Sequence, residues 1–233
     1  MRAEHYPAIV LGATVRGCGI AAATPGSLIL DPEILPGANW ALTFDPGRNW
    51  EAAAPEIPVA RRLLDELCNR KAVVAGALNN AAFAPVFARL CLDGGWKFKL
   101  DSRVVSVEGD TVSYFDAEGM HQVRGDRVID AAPRFDNGKR CVTALLQTPE
   151  PTGPAKFGEV EILPRSNSEA VVMLPLPATD EWPEARRKFR AFWEARPAPL
   201  REAAVLLTAV RFAERRFDNP VAELEAGWKE AAK

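Results

Sequence analysis

Residues 7–31, PAIVLGATVRGCGIAAATPGSLILD, decide the fold. Ala8 to Leu11 is a short apolar run with β-branched members, stopped by Gly12. That is the pattern of a strand buried in a parallel sheet. Small residues around Gly17 to Ala23 suit a closely packed helix, and Leu28–Leu30 is a second apolar strand ending at Asp31. Parallel neighbours need a crossover between them, so strand, helix and strand in this order predict a βαβ unit. The turn Gly12-Ala13-Thr14-Val15-Arg16-Gly17 has the outline of a dinucleotide fingerprint. Its first glycine permits the tight turn, its last permits close packing of helix on strand, and the N–H groups at the helix start are suited to a pyrophosphate. Asp31 lies 19 residues after Gly12, where a carboxylate can accept from ribose hydroxyls. Thr14 replaces the middle glycine, so its Cβ and hydroxyl would either crowd a phosphate or hydrogen-bond to it. A second frame, Gly17-Cys18-Gly19-Ile20-Ala21-Ala22, begins too far beyond the strand to serve. Without a nucleotide, the same residues form a βαβ unit whose small side chains serve packing.

Composition narrows the function classes. The chain has 233 residues and a formal net charge of −2, enough for a main domain with a smaller one and without a basic surface for nucleic acid. The arginines from Arg186 to Arg190 are flanked by Glu184 and Glu194 and suit a solvated helix face. No apolar run approaches the roughly 18–20 residues of a membrane span. Pro7 and the glycine turn interrupt any signal-peptide core. The expectation is a cytoplasmic protein that engages neither membrane nor nucleic acid. Cys18, Cys68, Cys91 and Cys141 are widely spaced and expected to be reduced. Only His5 and His121 are available, neither at ligand spacing from a carboxylate or cysteine, so no metal site is expected. Any chemistry would then come from a bound cofactor acting on a small-molecule substrate.

Farther along, Pro32–Trp50 is a long ordered loop carrying Trp40, Phe44 and Trp50. These aromatics either pack in the core or line a ligand surface. Helical spacing predicts helices over Pro58–Arg70 and Asn80–Leu92, the second stopped by Gly94-Gly95. Residues 96–131 switch period. Strands at Trp96–Leu100, Arg103–Glu108, Thr111–Phe115 and Met120–Arg124 are punctuated by turn residues as an antiparallel meander. A short strand, Arg127–Ile129, follows. Phe157–Leu163 and Ala170–Leu176 are further strand candidates, Trp182–Trp193 is an amphipathic helix, and Ala204–Val210 is read as a strand. Asn219-Pro220 opens a final helix, Val221–Ala232. Residues 8–11, 28–31, 97–100, 128–129 and 204–210 are expected to share one mostly parallel sheet.

The order of parts resembles the FAD-dependent oxidoreductases with the glutathione-reductase-type FAD-binding fold. The carriers are the opening βαβ unit, the meander with its return strand (KLDSRVVSVEGDTVSYFDAEGMHQVRGDRVIDAAP) ending in Val128-Ile129-Asp130-Ala131-Ala132-Pro133, and the last helix from Asn219 to Gly227. The resemblance implies an α/β fold: a parallel Rossmann-like FAD/NAD(P)-binding sheet, an antiparallel meander and a small α+β second domain. It implies a discontinuous FAD-binding domain (1–133 and 204–233) around a substrate or cap domain (134–203). Three departures stand out: Thr14 for glycine, Asp31 for the commoner Glu, and no Gly-Asp before the final helix.

On this resemblance FAD is the cofactor. Gly12, Ala13, Thr14, Val15, Arg16 and Gly17 would hold the pyrophosphate, Ala13 and Val15 through backbone N–H groups alone. Asp31 would hold the ribose, Val105 would meet adenine through its backbone, and Asp130 would lie near the pyrophosphate. Arg16 suits a solvated helix start equally well, Val105 a plain core position and Asp130 a turn acid. Residues for acid–base catalysis are not assigned. The function implied is a flavoprotein oxidoreductase passing hydride between flavin and an organic substrate. The alternative is a non-catalytic nucleotide-binding or protein-interaction module of the same fold, which Thr14, the missing Gly-Asp and the small second domain favour.

Overall fold

The computed structural model describes residues 4–74, 76–132, 139–148, 153–165, 168–177, 179–206 and 210–232. The chain begins with β1 (Glu4–Tyr6), β2 (Ile9–Leu11), α1 (Val15–Ala23), β3 (Leu28–Leu30) and the short α2 (Ala38–Ala41). Next come α3 (Pro58–Asn69), the hairpin β4 (Val73–Val74) and β5 (Ala77–Leu78), α4 (Asn80–Asp93) and β6 (Lys97–Lys99). The meander is β7 (Arg103–Glu108), β8 (Thr111–Asp116) and β9 (Gly119–Gly125), followed by β10 (Val128–Asp130). The second half contains β11 (Lys139–Gln147), β12 (Ala155–Phe157), β13 (Val160–Pro164) and β14 (Glu169–Leu176). It closes with α5 (Trp182–Glu194), α6 (Ala198–Ala203), β15 (Val205–Leu206), β16 (Arg211–Arg215) and α7 (Pro220–Ala231).

The opening motif folds as its pattern dictates. A four-stranded sheet has the order β10-β2-β3-β6, every pair parallel. Ile9, Val10, Leu28, Ile29 and Leu30 are buried on both faces of it, as a parallel sheet requires. On one face lie α1, α3, α4 and α7, whose Ile20, Leu63, Leu67, Phe83, Phe87 and Leu224 form the main core with Val10 and Ile29. On the other face the meander contributes Val112, Tyr114 and Val123 against Ile9, Leu28 and Leu30. β1 joins the meander by parallel pairing with β9. Helices α1 and α7 touch backbone to backbone: a methyl at Gly227 would lie 2.0 Å from the Arg16 carbonyl oxygen.

The second sheet has the order β12-β13-β14-β11-β15, and β16 also pairs with β11. Its apolar face, with Val142, Ala144, Leu146, Ile162 and Val172, is covered by Ala185 and Phe189 of α5. Three polar contacts tie this sheet to the first half. The Thr143 hydroxyl donates to the Thr43 carbonyl, Arg165 donates to Asn79 (2.6 Å), and Arg48 pairs with Glu161.

Four strands expected in the parallel sheet are there, and one is not. The stretch read as a strand over Ala204–Val210 yields β15, which pairs antiparallel with β11 in the second sheet; residues 207–209 lie outside the described residues. β11, the longest strand, offers its free edge to β15 and β16, so chain placed beside it completes that sheet. The single strand expected over Phe157–Leu163 is a hairpin, β12–β13, turning at Gly158.

Candidate functional site

The site grows from the C-terminal ends of β2, β3 and β10. Gly12 follows β2 with φ +112°, and a Cβ there would lie 2.8 Å from the Ala132 nitrogen, so glycine is required by conformation and by space. A methyl at Gly17 would lie 2.1 Å from the Gly12 carbonyl oxygen. The two outer glycines of the fingerprint therefore do what the turn needs of them.

Thr14 is the N-cap of α1. Its Oγ1 accepts from the Gly17 N–H (3.0 Å) and donates to the Ala131 carbonyl (2.9 Å). The hydroxyl is thus engaged within the protein and pins the start of α1 to the chain leaving β10. The hydroxyl proton is therefore already given to a backbone carbonyl.

The other donors of the first turn are taken as well. Val15 N–H meets Asn39 Oδ1 at 3.4 Å, Arg16 N–H donates to Glu223 Oε1 at 3.1 Å, and the Cys18 N–H makes the first helical bond, to the Thr14 carbonyl. A helix start normally leaves its first N–H groups for capping groups, water or a ligand. Here side chains from α2 and α7 hold them. Ala13 N–H donates to the Asp31 carboxylate, and Gly12 N–H to the Leu30 carbonyl. Thr14 N–H has no partner among the described residues and is the remaining donor of the loop.

Glu223 is the residue that sequence reasoning missed. Its carboxylate, 6 % exposed, accepts from Arg16 N–H, from Asn39 Nδ2 (3.1 Å to each oxygen) and from Trp40 Nε1. Burial pushes its pKa up, while the Trp40, Arg16 and Asn39 donors pull it down and leave a net rise. In the sequence it is one acid on an amphipathic helix, and no local signal marks it.

Asp31 stands where the sequence places it. Its carboxylate accepts from the backbone of Ala13 and Glu33 (2.7 Å to the latter) and walls a cleft of about 1110 Å³. Burial raises its pKa, against the lowering effect of the Glu33 and Ala13 N–H groups. The cleft is lined by Asp31, Glu33 and Arg103, by Gly12, Ala13 and Thr14, by Leu42 and Thr43 after α2, and by Arg211 and Phe212 of the second half. Asp130 also lines it, while its carboxylate accepts from Ala132 N–H at 3.0 Å.

Other expected site residues point elsewhere. Arg16 forms a bidentate pair with Glu230 (2.7–2.8 Å) and donates to the Asp130 carbonyl, so its charge is matched within the protein. Val105 falls at a register shift in β7 between Val104 and Ser106, and is 61 % exposed. A bulge re-aims side chains, and it is Arg103 and Val104 that wall the cleft. Trp40 and Trp50 are buried, the latter donating to the Pro46 carbonyl (3.0 Å). Phe44 lies under the Arg211 guanidinium, 5.8 Å from its ring centroid.

His121 departs from its expectation too. The β8–β9 turn folds it back to 2.8 Å from Asp116, and Asp116, Glu118 and His121 gather within 4.8 Å. A hairpin pairs positions that linear spacing keeps apart. All four cysteines are free, with Cys68 exposed.

The likeness of this chain to solved structures lies in the fold. No family profile matches the sequence, and no curated protein matches it. A geranylgeranyl bacteriochlorophyll reductase-like protein from Thermoplasma acidophilum superposes with a TM-score of 0.64 at 11 % identity, over 99 % of this chain and 78 % of that one. A flavoprotein/dehydrogenase from Cytophaga hutchinsonii gives 0.60 at 12 % identity, over 98 % and 77 %. The p-nitrophenol 4-monooxygenase PnpA from Pseudomonas putida DLL-E4 gives 0.59 at 12 % identity, over 98 % and 78 %. The fold is the FAD-binding fold of the glutathione reductase type. The parallel sheet carries the meander on one face and α1 with the last helix, α7, on the other. Fold alone does not assign activity. No described helix is long and apolar enough to cross a membrane.

Proposed function

We propose that the cleft binds FAD and that the protein is a flavin-dependent oxidoreductase acting on a small organic substrate. The observation that carries this reading is the continuity of the cleft: it joins the Asp31 carboxylate, the glycine turn and Arg211 and Phe212 of β16 in one space. The residues present fit the group. Asp31 retains lone pairs for ribose hydroxyls beyond the two backbone N–H groups it accepts. Gly12 lets the turn pack directly against the Ala131–Ala132 backbone at the end of β10, and the Thr14 N–H is available to a phosphate. Bound flavin would supply the hydride acceptor or donor. Leu42, Thr43 and Phe212 would exclude water from the far end, and Arg211 would hold a negative group there.

We take the parallel sheet, meander and α7 as the nucleotide-binding body, and the second sheet with α5 as the cap over the substrate. A cytoplasmic setting and the absence of nucleic-acid and membrane partners belong to the same proposal.

A second reading, a nucleotide-binding module without turnover, is favoured by one observation: side chains already hold the first-turn N–H groups of α1. Titration of the purified protein with FAD separates the readings. Stoichiometric binding with flavin absorbance, and reduction of the bound flavin by an added hydride donor, support the enzyme. Nucleotide binding without reduction supports the module. Failure to bind FAD at millimolar concentration overturns the flavin assignment.

A further inference from the structure

The molecule places an anion of its own where a phosphate-binding fold is expected to receive one. Glu223 reaches from α7 to the first turn of α1 and accepts from Arg16 N–H at 3.1 Å. Asn39 bridges it to the neighbouring donor, because its Nδ2 donates to Glu223 while its Oδ1 takes the Val15 N–H. Trp40 Nε1 closes the ring of donors. The pocket beside the carboxylate is about 50 Å³, against about 1110 Å³ for the cleft. The loop carrying the free Thr14 N–H borders both this pocket and the large cleft.

We propose that Glu223 is a specificity-determining residue of the cleft: docked on the first turn of α1 as an internal anion, it opposes a diphosphate on the loop and leaves adenosine binding untouched. This rests on the reading that the cleft takes a nucleotide. Like charges near a common helix start repel, and in a partly buried setting salt screens them weakly. Adenosine carries no charge to be opposed, and its ribose is held at Asp31, on the other side of the Gly12–Thr14 turn.

The groups facing Glu223 are Arg16 and Cys18 from α1, Asn39 and Trp40 from α2, and Glu214 and Arg216 from β16 and the residue after its end. Arg16 is paired with Glu230 and Arg216 with Glu214. Burial holds the Cys18 thiol well above its usual value, so it stays neutral. Burial likewise raises Glu223, so falling pH neutralises this carboxylate before an ordinary one while a diphosphate diester keeps its charge.

The test is a calorimetric titration of the native protein and Glu223→Gln with ADP-ribose and with adenosine. ADP-ribose is chosen because its diphosphate diester keeps both charges from about pH 5 to about pH 8, a range above the pKa of ordinary carboxyls. Glu223→Gln should bind ADP-ribose about tenfold more tightly, the scale of one close unit charge in a partly buried site, and adenosine equally well. In the native protein, ADP-ribose should gain affinity relative to adenosine as pH falls. The adenosine arm absorbs any titration of Asp31. Unchanged ADP-ribose affinity in the variant, or equal weakening of both ligands, overturns the proposal. If the variant does not fold, the native pH series decides, and no preferential gain for ADP-ribose in acid overturns it. If neither nucleoside ligand binds either protein, the nucleotide reading of the cleft fails. Inorganic pyrophosphate then judges Glu223: binding by the variant alone sustains its role, and no binding by the variant overturns it.

Discussion

Asp31 and Glu223 are both 6 % exposed, and both accept from backbone N–H groups of the turn after β2. Their surroundings differ. Asp31 is held by two backbone donors and walls a cleft of about 1110 Å³, so its remaining lone pairs look into open space. Glu223 is ringed by an N–H, an amide and an indole in a pocket of about 50 Å³. Burial raises the pKa of both. What separates them is which partners would be left behind on removal. For Asp31 they border the open cleft; for Glu223 they lie among α1, α2 and α7. A buried carboxylate is thus a ligand group in one place and an internal fastening in the other, and the fold sets them on either side of one glycine turn.

The comparison breaks most visibly at the turn itself. Gly17→Ala should cost about 3 kcal/mol of unfolding free energy, read as a drop in the denaturant midpoint. Its methyl meets the Gly12 carbonyl, which the adjoining β2–β3 sheet cannot easily yield. A near-neutral result would show that the turn is looser than its geometry.

Next in size is Glu223→Ala. It strands the Arg16 N–H and the Trp40 indole, and should cost about 2–3 kcal/mol of stability. Chemical denaturation checks this, and a loss under about 1 kcal/mol would mean that water reaches those donors and that the two carboxylates are less different than drawn.

Asp31→Ala should act on binding instead. Nucleotide affinity should weaken by about 2 kcal/mol, the scale of a hydrogen bond to a charged group, with stability changed by less than about 1 kcal/mol. Unaltered affinity for adenosine in a titration would remove Asp31 from the site.

The smallest effect is assigned to Thr14→Ala. Losing the N-cap should cost about 1 kcal/mol of stability and leave adenosine affinity as it was, since the hydroxyl is engaged by Gly17 and Ala131. A larger effect on ligand binding than on unfolding would return Thr14 to the phosphate contacts.

The legible parts of this chain are those in which local pattern and final environment agree. The strand at Ile9–Leu11, the glycine turn, Leu28–Leu30 and the meander turns follow from apolar runs and from glycines at fixed offsets. The helices α3 and α4 follow from spacing and from their Gly94-Gly95 or proline punctuation. β11 went unrecognised because KRCVTALLQ lacks clean alternation, even though Asp136-Asn137-Gly138 before it and Thr148-Pro149 after it are turn residues. Its burial on both faces comes from α5 on one side and the first half of the molecule on the other. Val105 escaped because a bulge is a mismatch between two strands and belongs to neither sequence alone. His121 met Asp116 for a related reason, since a hairpin makes neighbours of residues that spacing separates.

By itself the sequence determined the parallel βαβ core, its phosphate-type turn and the acid at Asp31, because these arise from interactions within a few dozen residues. The tertiary structure alone decided what occupies that turn. Glu223 lies 207 positions from Arg16, and only the close seam between α1 and α7, set by Gly19 and Gly227, brings its carboxylate to the helix start. Contacts of that range depend on how whole helices pack, which periodicity specifies as a buried face and not as a partner.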